Sequence, residues 1–357
     1  MKKKTKARSI DAASALHRKP TMNDVARLAG VGTMTVSRVM SGTAPVTEET
    51  RKRVQRAIDQ LNYRPNELAR AFRGQRTRSI GLILPYLYDP FFANCAHAVT
   101  TVAREQDYSV IITTSGEDPD REYAEAEQML QRHVDGVVLI PAQSRPTRLT
   151  PELFGKTPVV AFDRPVAQQP FDVVTVQNAD GSERMIEHLI EHGHKRIAFM
   201  SLSRRLFTMN ARYLGYRKAM QEAGLSEHTF FGCTSQEDTL TFLQDALRGS
   251  APQTAIFTAN TLATRYVLTA LQHMGARTPQ DVALAGFDDF ELAELTASPL
   301  TVVRQPAQEM GRVATTLLFE RILRDKAPHM GSRIVLPVEL ILRRSCGCKH
   351  RAPLIVH

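Results

Sequence analysis

Four polar side chains stand just after apolar runs or at a helix start, and together they could bind a ligand rich in hydroxyl groups. They are Asp163, Arg212, Asn260 and Asp288. Arginine and aspartate can each form paired hydrogen bonds with neighbouring hydroxyls, and an amide can both donate and accept. Taken singly, each side chain has a simpler explanation as a strand-end cap or half of a surface ion pair. A binding function therefore requires elements that bring the four together.

The elements predicted for residues 79–345 would do this. Apolar runs typical of strands occur at 79–85, 108–113, 136–140 and 158–163, and a second series follows at 173–176, 196–200, 255–258 and 282–287. Helical patterns lie between them at about 91–106, 120–133, 181–192, 212–223 and 262–274. This alternation predicts parallel sheets in α/β units, and the tandem series predict two similar lobes. Ligands of such sheets bind beyond the carboxyl ends of the strands. Residues 301–330 should cross back to the first lobe.

Cysteines and histidines point less clearly to chemistry. Four cysteines in 357 residues do not make a disulfide framework. Cys346 and Cys348 form a close pair that would need two more ligands to hold a metal, and His350 is the obvious neighbour. We interpret the pair as reduced surface thiols near the C-terminus. Three histidines lie close in sequence: His188, His192 and His194. We interpret this stretch as ordinary structure: the end of a helix, a cap at Gly193 and the start of the next strand. We therefore expect no metal and no cofactor.

The positive charge of the chain is confined to its first 78 residues. They hold 18 Lys and Arg against 6 Asp and Glu, whereas the remaining 279 residues hold 28 against 31. A basic head on a nearly neutral body favours a polyanionic partner for the head.

The head also carries a helix-turn-helix pattern. A first helix is predicted from Thr21 or Met22, burying Val25, Ala26 and either Leu28 or Ala29, with Gly30 in the turn. A second helix over about 33–40 would turn Val36, Val39 and Met40 inward. Its other face would present Thr33, Met34, Ser37 and Arg38, which suit base-edge and phosphate contacts in a major groove. An ordinary helical hairpin with solvated polar residues is the alternative. A third helix, capped by Thr47, runs through Val54, Ala57, Ile58 and Leu61, and Pro65 with a cap at Asn66 begins a hinge.

The order of these motifs resembles one family. Asp24-Val25-Ala26, Ala29-Gly30-Val31, Thr35-Val36-Ser37-Arg38, Val46-Thr47-Glu48-Glu49, Leu61-Asn62-Tyr63-Arg64-Pro65-Asn66 and Leu68-Ala69-Arg70 occur in sequence. Further on come Asn178-Ala179-Asp180-Gly181, Gly193-His194-Lys195-Arg196, Gly286-Phe287-Asp288-Asp289 and Ser298-Pro299-Leu300-Thr301. Over about residues 20–345 the chain is similar to the lactose-repressor (LacI)/purine-repressor family of bacterial transcription regulators.

The resemblance implies roles in DNA binding. Thr33, Met34 and Arg38 would enter the major groove, with Thr35 and Ser37 nearer the backbone. Residues 66–73, which include Asn66, Arg70 and Phe72, would form a hinge helix in the minor groove. Phe72 stands where the family usually inserts a leucine wedge, and Gly32 stands where a serine commonly caps the recognition helix.

The resemblance also ranks the effector contacts. Arg212 and Asp288 come first, followed by Asp163, Asn260 and the turn that contains Asp89 and Phe91. Thr261 follows Asn260 where an aspartate is usual. Because the chain has no tryptophan to stack on a sugar ring, Phe91, Phe207 or Phe290 would have to serve.

Five segments are expected. They are a disordered basic arm (1–19), a helix-turn-helix domain (20–64), a hinge helix and linker (65–78), a two-lobed effector-binding and dimerisation domain similar to periplasmic binding proteins (79–345) and a C-terminal tail (346–357). The favoured function is a cytoplasmic, nucleoid-associated repressor that binds a pseudo-palindromic DNA operator as a homodimer or higher oligomer. A small polar effector, a sugar or sugar derivative, would control it. No membrane association is expected.

Two other classes are less well supported. A solute-binding protein would fit the body alone, but the head opposes it, and residues 9–19 lack the apolar core of a signal peptide. A sugar-active enzyme could use Asp288 and Asp289 as an acid/base pair. However, side chains adjacent in sequence rarely aim at one atom, and the sequence shows no phosphate-binding glycine loop, metal motif or activated nucleophile. We therefore predict a protein that is not an enzyme.

Overall fold

The computed structural model describes residues 20–41, 45–63, 76–142, 147–323 and 331–348. The chain divides into two compact units, Met1–Thr77 and Arg78–His357. Among the described residues, no helix is both long and apolar enough to span a bilayer.

In the described residues of the first unit, three helices surround a small core. They are α1 (Met22–Ala29), α2 (Thr33–Ser41) and α3 (Glu48–Leu61). Its buried apolar side chains are Val25, Ala26, Ala29, Val36, Val39, Val54, Ala57 and Tyr63. Three of them are alanines, which lets the helix backbones approach closely. The predicted helices are confirmed, and Ala29 rather than Leu28 is the inward-facing residue.

Local chemistry sets the ends of these helices. The Thr21 backbone N–H donates to Asp24 Oδ2 over 2.9 Å, which satisfies one donor at the start of α1. Gly30 then takes φ 62°, a left-handed conformation that glycine adopts without steric cost. Thr47 accepts a hydrogen bond from Thr50 N at the start of α3, as predicted.

The first lobe of the second unit is built on a parallel sheet. Its strands are β1 (Ser79–Leu84), β2 (Ser109–Thr114), β3 (Val137–Leu139), β4 (Val159–Phe162), β5 (Asp172–Val176) and β11 (Arg333–Leu336). They lie in the order β11-β5-β4-β3-β1-β2, with every pair parallel. The helices are α4 (Pro90–Glu105), α5 (Pro119–Gln131), the short α6 (Pro151–Phe154) and α11 (Ala307–Leu323).

The second lobe repeats this plan. Its strands are β6 (Ile197–Met200), β7 (His228–Phe230), β8 (Ala255–Thr258), β9 (Ala283–Phe287), β10 (Thr301–Arg304) and β12 (Glu339–Ile341). Their order is β12-β10-β9-β8-β6-β7, and only β12 is antiparallel to its neighbour. The helices are α7 (Asn178–Glu191), α8 (Phe207–Glu222), α9 (Gln236–Arg248) and α10 (Thr261–Met274), with a 3-10 turn at Glu291–Ala293.

The chain passes between the lobes three times. It crosses after β5, between β10 and α11, and between β11 and β12. Helix α11 packs on α4 and on strands β3, β4 and β5 of the first sheet. The predicted return of the segment after Thr301 to the first lobe is therefore confirmed up to Leu323; residues 324–330 lie outside the described residues.

Some elements were not predicted. Strand β7 and helix α9 were missed, and α8 begins at Phe207 rather than near Arg212. Strand β7 is a three-residue edge strand whose residues are all only partly buried, so its sequence lacks a strong apolar run. Strands β11 and β12 were missed as well, because each is short and half-exposed at a sheet edge.

Candidate functional sites

A cavity of about 150 Å³ lies between the two lobes of the second unit. All six residues predicted to contact an effector line it: Asp89, Phe91, Asp163, Arg212, Asn260 and Asp288. The first three come from the first lobe and the other three from the second. The fold thus brings together side chains that are up to 199 positions apart in sequence.

Asp163 and Asp288 occupy equivalent positions in the two lobes. Asp163 directly follows β4 and Asp288 directly follows β9, and these strands hold matching places in their sheets. Both aspartates have left-handed backbone conformations, with φ of 66° and 81°. Non-glycine residues adopt this region rarely, and such positions cluster at ligand sites. Burial raises the pKa of Asp163, even though Arg164 and Arg212 lie nearby.

Arg212 is the central cation of the cavity. It is 2% exposed, and its Nε donates to Asn178 Oδ1 over 2.9 Å while Nη1 donates to the Ala259 carbonyl over 2.7 Å. The guanidinium lies 3.7 Å from the centroid of the Phe287 ring, and Nη1 lies 3.7 Å from Asp288 Oδ2. Burial lowers the pKa of Arg212, although the neighbouring carboxylates oppose this change. These contacts fix the direction of the guanidinium before any ligand binds.

Asp89 and Asn260 also cap helices. Asp89 Oδ1 accepts from Phe91 N over 2.9 Å at the start of α4, and Asn260 Oδ1 accepts from Ala263 N over 3.2 Å at the start of α10. Each side chain therefore caps a helix and also lines the cavity. Burial, followed by the charge of Asp288, raises the pKa of Asp89 to about 6.

Arg164 and Glu117 also line the cavity, and the residues predicted from the sequence do not include them. Arg164 is 2% exposed, and its guanidinium makes two hydrogen bonds to Glu117, of 3.1 and 2.6 Å. Its Nε lies 3.3 Å from Asp163 Oδ2. Behind this pair, burial raises the pKa of Glu122 to about 7, and Glu122 accepts from Ala142 N. The position of Arg164 directly after Asp163 was the available signal.

Aromatic side chains form one wall of the cavity. Phe91 and Phe92 pack edge to face with centroids 5.3 Å apart, and Tyr86 and Tyr88 pack at 5.1 Å. Of the three phenylalanines considered for stacking, only Phe91 lines the cavity. Phe290 lines a neighbouring cavity and Phe207 lines neither.

Asp289, next to Asp288 in the sequence, has hydrogen-bond partners of its own. Asp289 pairs with Arg304 and with Arg343, through hydrogen bonds between 2.6 and 3.0 Å long. Despite its burial, these arginines hold the pKa of Asp289 below its usual range. Asp288, by contrast, accepts from Gln305 Nε2 and faces Arg212. The two adjacent carboxylates therefore have separate partners and do not form an acid/base pair.

The second helix of the first unit presents the predicted DNA-contacting residues. Thr33, Met34 and Arg38 are exposed, with Met34 68% exposed, whereas Thr35 and Ser37 are half-buried. Val36 and Val39 are buried on the opposite face. Other cations exposed on this unit are Arg27, Arg51, Lys52, Arg53 and Arg56. The remaining predicted DNA contacts, Asn66, Arg70 and Phe72, lie outside the described residues.

Cys346 and Cys348 are not surface thiols. They are 0% and 7% exposed and belong to the main apolar core of the second unit. The interpretation of this pair as surface thiols is wrong, because both side chains are buried in that core and Cys346 contacts His188 of the second lobe.

Comparison with protein families matches both parts of the chain. Residues 21–66 match the model "Bacterial regulatory proteins, lacI family". Residues 186–346 match the model "Periplasmic binding protein-like domain".

Individual relatives cover nearly the whole chain. The HTH-type transcriptional repressor PurR of Haemophilus influenzae (strain PittEE) is 34% identical over 331 residues, which cover 91% of this chain and 98% of that protein. The ribose operon repressor of H. influenzae (strain ATCC 51907 / DSM 11121 / KW20 / Rd) is 32% identical over 91% of this chain and 98% of that protein. A solved complex of the transcriptional regulator CelR with cellobiose is 31% identical, with a TM-score of 0.65 and coverage of 91% of this chain and 99% of that one.

Proposed function

Since the chain belongs to the LacI family of bacterial regulatory proteins, we propose that it represses transcription from a DNA operator under the control of a small polyhydroxylated effector. The family is one of DNA-binding transcription regulators and not of enzymes. We next assign the class of ligand and the residues that bind the ligand and the DNA.

The side chains that line the cavity between the lobes are the main support for a polyhydroxylated ligand. A buried arginine held by two hydrogen bonds lies beside three aspartates, a capping asparagine and an aromatic wall. Fixed donors and acceptors of this kind recognise vicinal hydroxyls, and an aromatic face packs on the apolar face of a sugar ring. A cavity of about 150 Å³ lies below the roughly 300–1,000 Å³ typical of drug-sized ligands, so we favour a monosaccharide or a derivative of that size.

Two relatives support a sugar as the effector. One is named for a ribose operon and the other was solved with cellobiose. We assign the leading contacts to Arg212 and Asp288, with Asp163, Asn260, Asp89 and Phe91 completing the site. Arg164, paired with Glu117, would position Asp163 from behind.

For DNA, we assign base and phosphate contacts in the major groove to the exposed residues of α2, with Arg38 the leading cation. One such helix reads only a few base pairs, so we propose a homodimer on a pseudo-palindromic operator. Residues 65–78 would connect the helix-turn-helix part of the chain to the two-lobed part. Within this segment, Asn66, Arg70 and Phe72 would contact the minor groove. Bound to bacterial DNA, the protein would act in the cytoplasm, at the nucleoid.

Control would follow from differential binding. A ligand that contacts both lobes favours one relative pose of the lobes over another, because its interaction energy differs between them. The three crossings carry that preference to the segment that precedes β1, and thereby change operator affinity.

An Arg212→Ala variant tests the proposal. Sugars, sugar acids and nucleobases are first screened by thermal shift on the wild-type protein, and each hit is then tested for its effect on operator binding. We expect Arg212→Ala to bind the operator normally but to lose the ligand response. The matched control is Arg217→Ala. Arg217 lies on the same helix α8 but does not line the cavity, so this variant should respond like the wild type. A normal response of Arg212→Ala would move the effector site elsewhere.

A further inference from the structure

Two histidines and two cysteines from distant parts of the chain meet at the end of α7. His188 and His192 lie one helical turn apart, with ring centroids separated by 4.3 Å. The segment after β12 brings Cys346 Sγ to 3.4 Å from His188 Nε2 and to 2.9 Å from Cys348 Sγ. Ligand atoms of His188, His192 and Cys348 all lie within 4.8 Å of one another. The effector site uses none of these four side chains.

These distances are close to those of a tetrahedral zinc site. With Zn–S of about 2.3 Å and Zn–N of about 2.0–2.1 Å, tetrahedral geometry separates nitrogen and sulfur ligands by about 3.5 Å and two sulfurs by about 3.8 Å. The His188–Cys346 separation of 3.4 Å already fits. The two sulfurs, 2.9 Å apart, need to separate by somewhat less than 1 Å, which rotation of either cysteine side chain can supply. Two histidines at i and i+4 on one helix face form a recurrent zinc-binding pair.

Hydrogen bonds outside the four ligands orient them. His192 Nδ1 lies 2.7 Å from the His188 carbonyl oxygen, so Nδ1 carries the proton and Nε2 keeps its lone pair for a metal. Thr301 Oγ1 donates to Cys346 Sγ over 3.2 Å, which fixes the direction of this sulfur. Ligands whose orientation is set by hydrogen bonds to groups outside the site are typical of metal sites.

The burial of the four side chains also suits a structural metal site. His188, Cys346 and Cys348 are each less than 9% exposed, whereas His192 is exposed to solvent. Three buried ligands would exclude water from the ion, and one exposed ligand would give it a path of entry.

We propose that His188, His192, Cys346 and Cys348 form a structural Zn²⁺ site that fastens the segment after β12 to helix α7. This revises the expectation that the protein holds no metal. Soft thiolate and imidazole ligands together select a thiophilic divalent ion over Mg²⁺ or Ca²⁺. A disulfide between Cys346 and Cys348 is the competing chemistry, and the experiment below distinguishes the two.

The place of the cluster in the fold indicates a structural role. Asn178, at the first turn of α7, contacts Arg212 in the effector cavity, whereas His188 and His192 lie at the other end. Helix α7 spans 14 residues, or about 20 Å. Zinc should therefore stabilise the second lobe without being part of the effector site.

Co²⁺ titration of the full-length protein tests the proposal. The protein is reduced, stripped with EDTA and titrated anaerobically. We expect one equivalent of Co²⁺ to give the intense ligand-field absorption of tetrahedral cobalt with thiolate-to-cobalt charge transfer, and Zn²⁺ to abolish both. Zn²⁺ in about 100-fold excess over its Kd should raise Tm by about 5 °C or more.

Variants locate the site. His192→Ala alters only the exposed ligand, so it should fold normally and weaken Zn²⁺ binding at least about tenfold, and Cys348→Ser should remove most of the charge-transfer band. His273→Ala changes an exposed histidine in the last turn of α10 and should leave binding unchanged. The proposal is overturned if His192→Ala and His273→Ala bind Zn²⁺ equally. A six-coordinate cobalt spectrum, or a Cys346–Cys348 disulfide that persists after reduction and leaves no metal bound, would overturn it as well.

Discussion

Asp89 combines two roles, since it caps α4 and lines the effector cavity beside two other carboxylates. Its pKa of about 6 lies above the ordinary value of 3.8 because of burial and the charge of Asp288. The folded protein therefore holds this proton more tightly than the unfolded chain does. This group's stabilising contribution is full below about pH 4 and is lost as the pH rises through about 6.

Asp89→Asn removes this titration while keeping an oxygen for the cap. We expect the variant to gain free energy of unfolding relative to the wild type as the pH rises from 4 to 7, by about 1–2 kcal/mol after solvent screening. Urea unfolding at several pH values measures this difference. A difference that does not change with pH would show that Asp89 keeps its ordinary pKa.

Arg38 tests the assignment of the DNA-reading face. Arg38→Ala should reduce specific operator affinity by about tenfold to a hundredfold, because one good side-chain contact to a base contributes about 1–3 kcal/mol. Effector binding, measured by calorimetry, should not change. Arg56→Ala removes an exposed cation from α3 and serves as the control for general charge loss. Equal losses of operator affinity in the two variants would show that Arg38 contributes only its positive charge.

The sequence predicts the cavity residues next to strand ends but not the partners that support them. Asp163 and Asp288 follow apolar runs directly, so parallel-sheet geometry alone pointed to them. Arg164 was missed because its function depends on Glu117, 47 positions away, and no local pattern reports that pairing. The meeting of His188 with Cys346, 158 positions away, was missed for the same reason.

Helices α7 and α8 pack so closely that Gly215 has no room for a side chain. A Cβ at this position would overlap the carbonyl oxygen of Ala179, which is backbone and cannot rotate away. Gly215→Ala should therefore destabilise the second lobe by about 3 kcal/mol or more, despite the better helix propensity of alanine.

Thermal unfolding measures this effect. Leu214→Ala changes the neighbouring residue, which is 38% exposed, and should lower Tm much less. If Gly215→Ala were as stable as the wild type, α7 and α8 would have to be farther apart than the structure has them.

Gln305 connects a lobe crossing to the ligand site. It lies between β10 and α11, is 7% exposed, and its Nε2 donates to Asp288 Oδ1. Gln305→Met keeps the side-chain volume but removes this donor, and the loss of a buried hydrogen bond to a charged group costs about 1–3 kcal/mol. We expect effector affinity to fall about tenfold and the effect of ligand on operator binding to shrink.

Calorimetry and operator titration together measure both quantities. Gln308→Met, an exposed amide on α11, is the control and should behave as the wild type. Unchanged values for Gln305→Met would show that this hydrogen bond contributes nothing to the site.

Elements with long periodic patterns were predictable, and short edge elements were not. The three described helices of the first unit and the central strands of both sheets follow from their apolar spacing. Strand β7 has three half-buried residues, and the crossing strands β11 and β12 bury few side chains. Their positions depend on pairing with distant strands, which local sequence does not encode.

For the complete chain, charge and motif order predict a basic helix-turn-helix part followed by a two-lobed ligand-binding part. The concentration of positive charge before residue 79 and the helix-turn-helix spacing predict the DNA-binding part. Two tandem α/β series predict the two lobes of the ligand-binding part. The burial of Cys346 and Cys348 in the core of the second unit could not be predicted, because burial of Cys346 depends on contacts with α7 and β10.

Ligand in the interlobe cavity should set operator affinity. This can be measured by fluorescence anisotropy of the full-length protein on an operator selected from random DNA, with and without each sugar that raises its Tm. We expect at least one monosaccharide or derivative to change wild-type operator affinity tenfold or more, and Arg212→Ala to bind DNA without responding. If no hydroxylated ligand altered operator affinity, or if the wild type and Arg212→Ala responded equally, the cavity would not be the effector site.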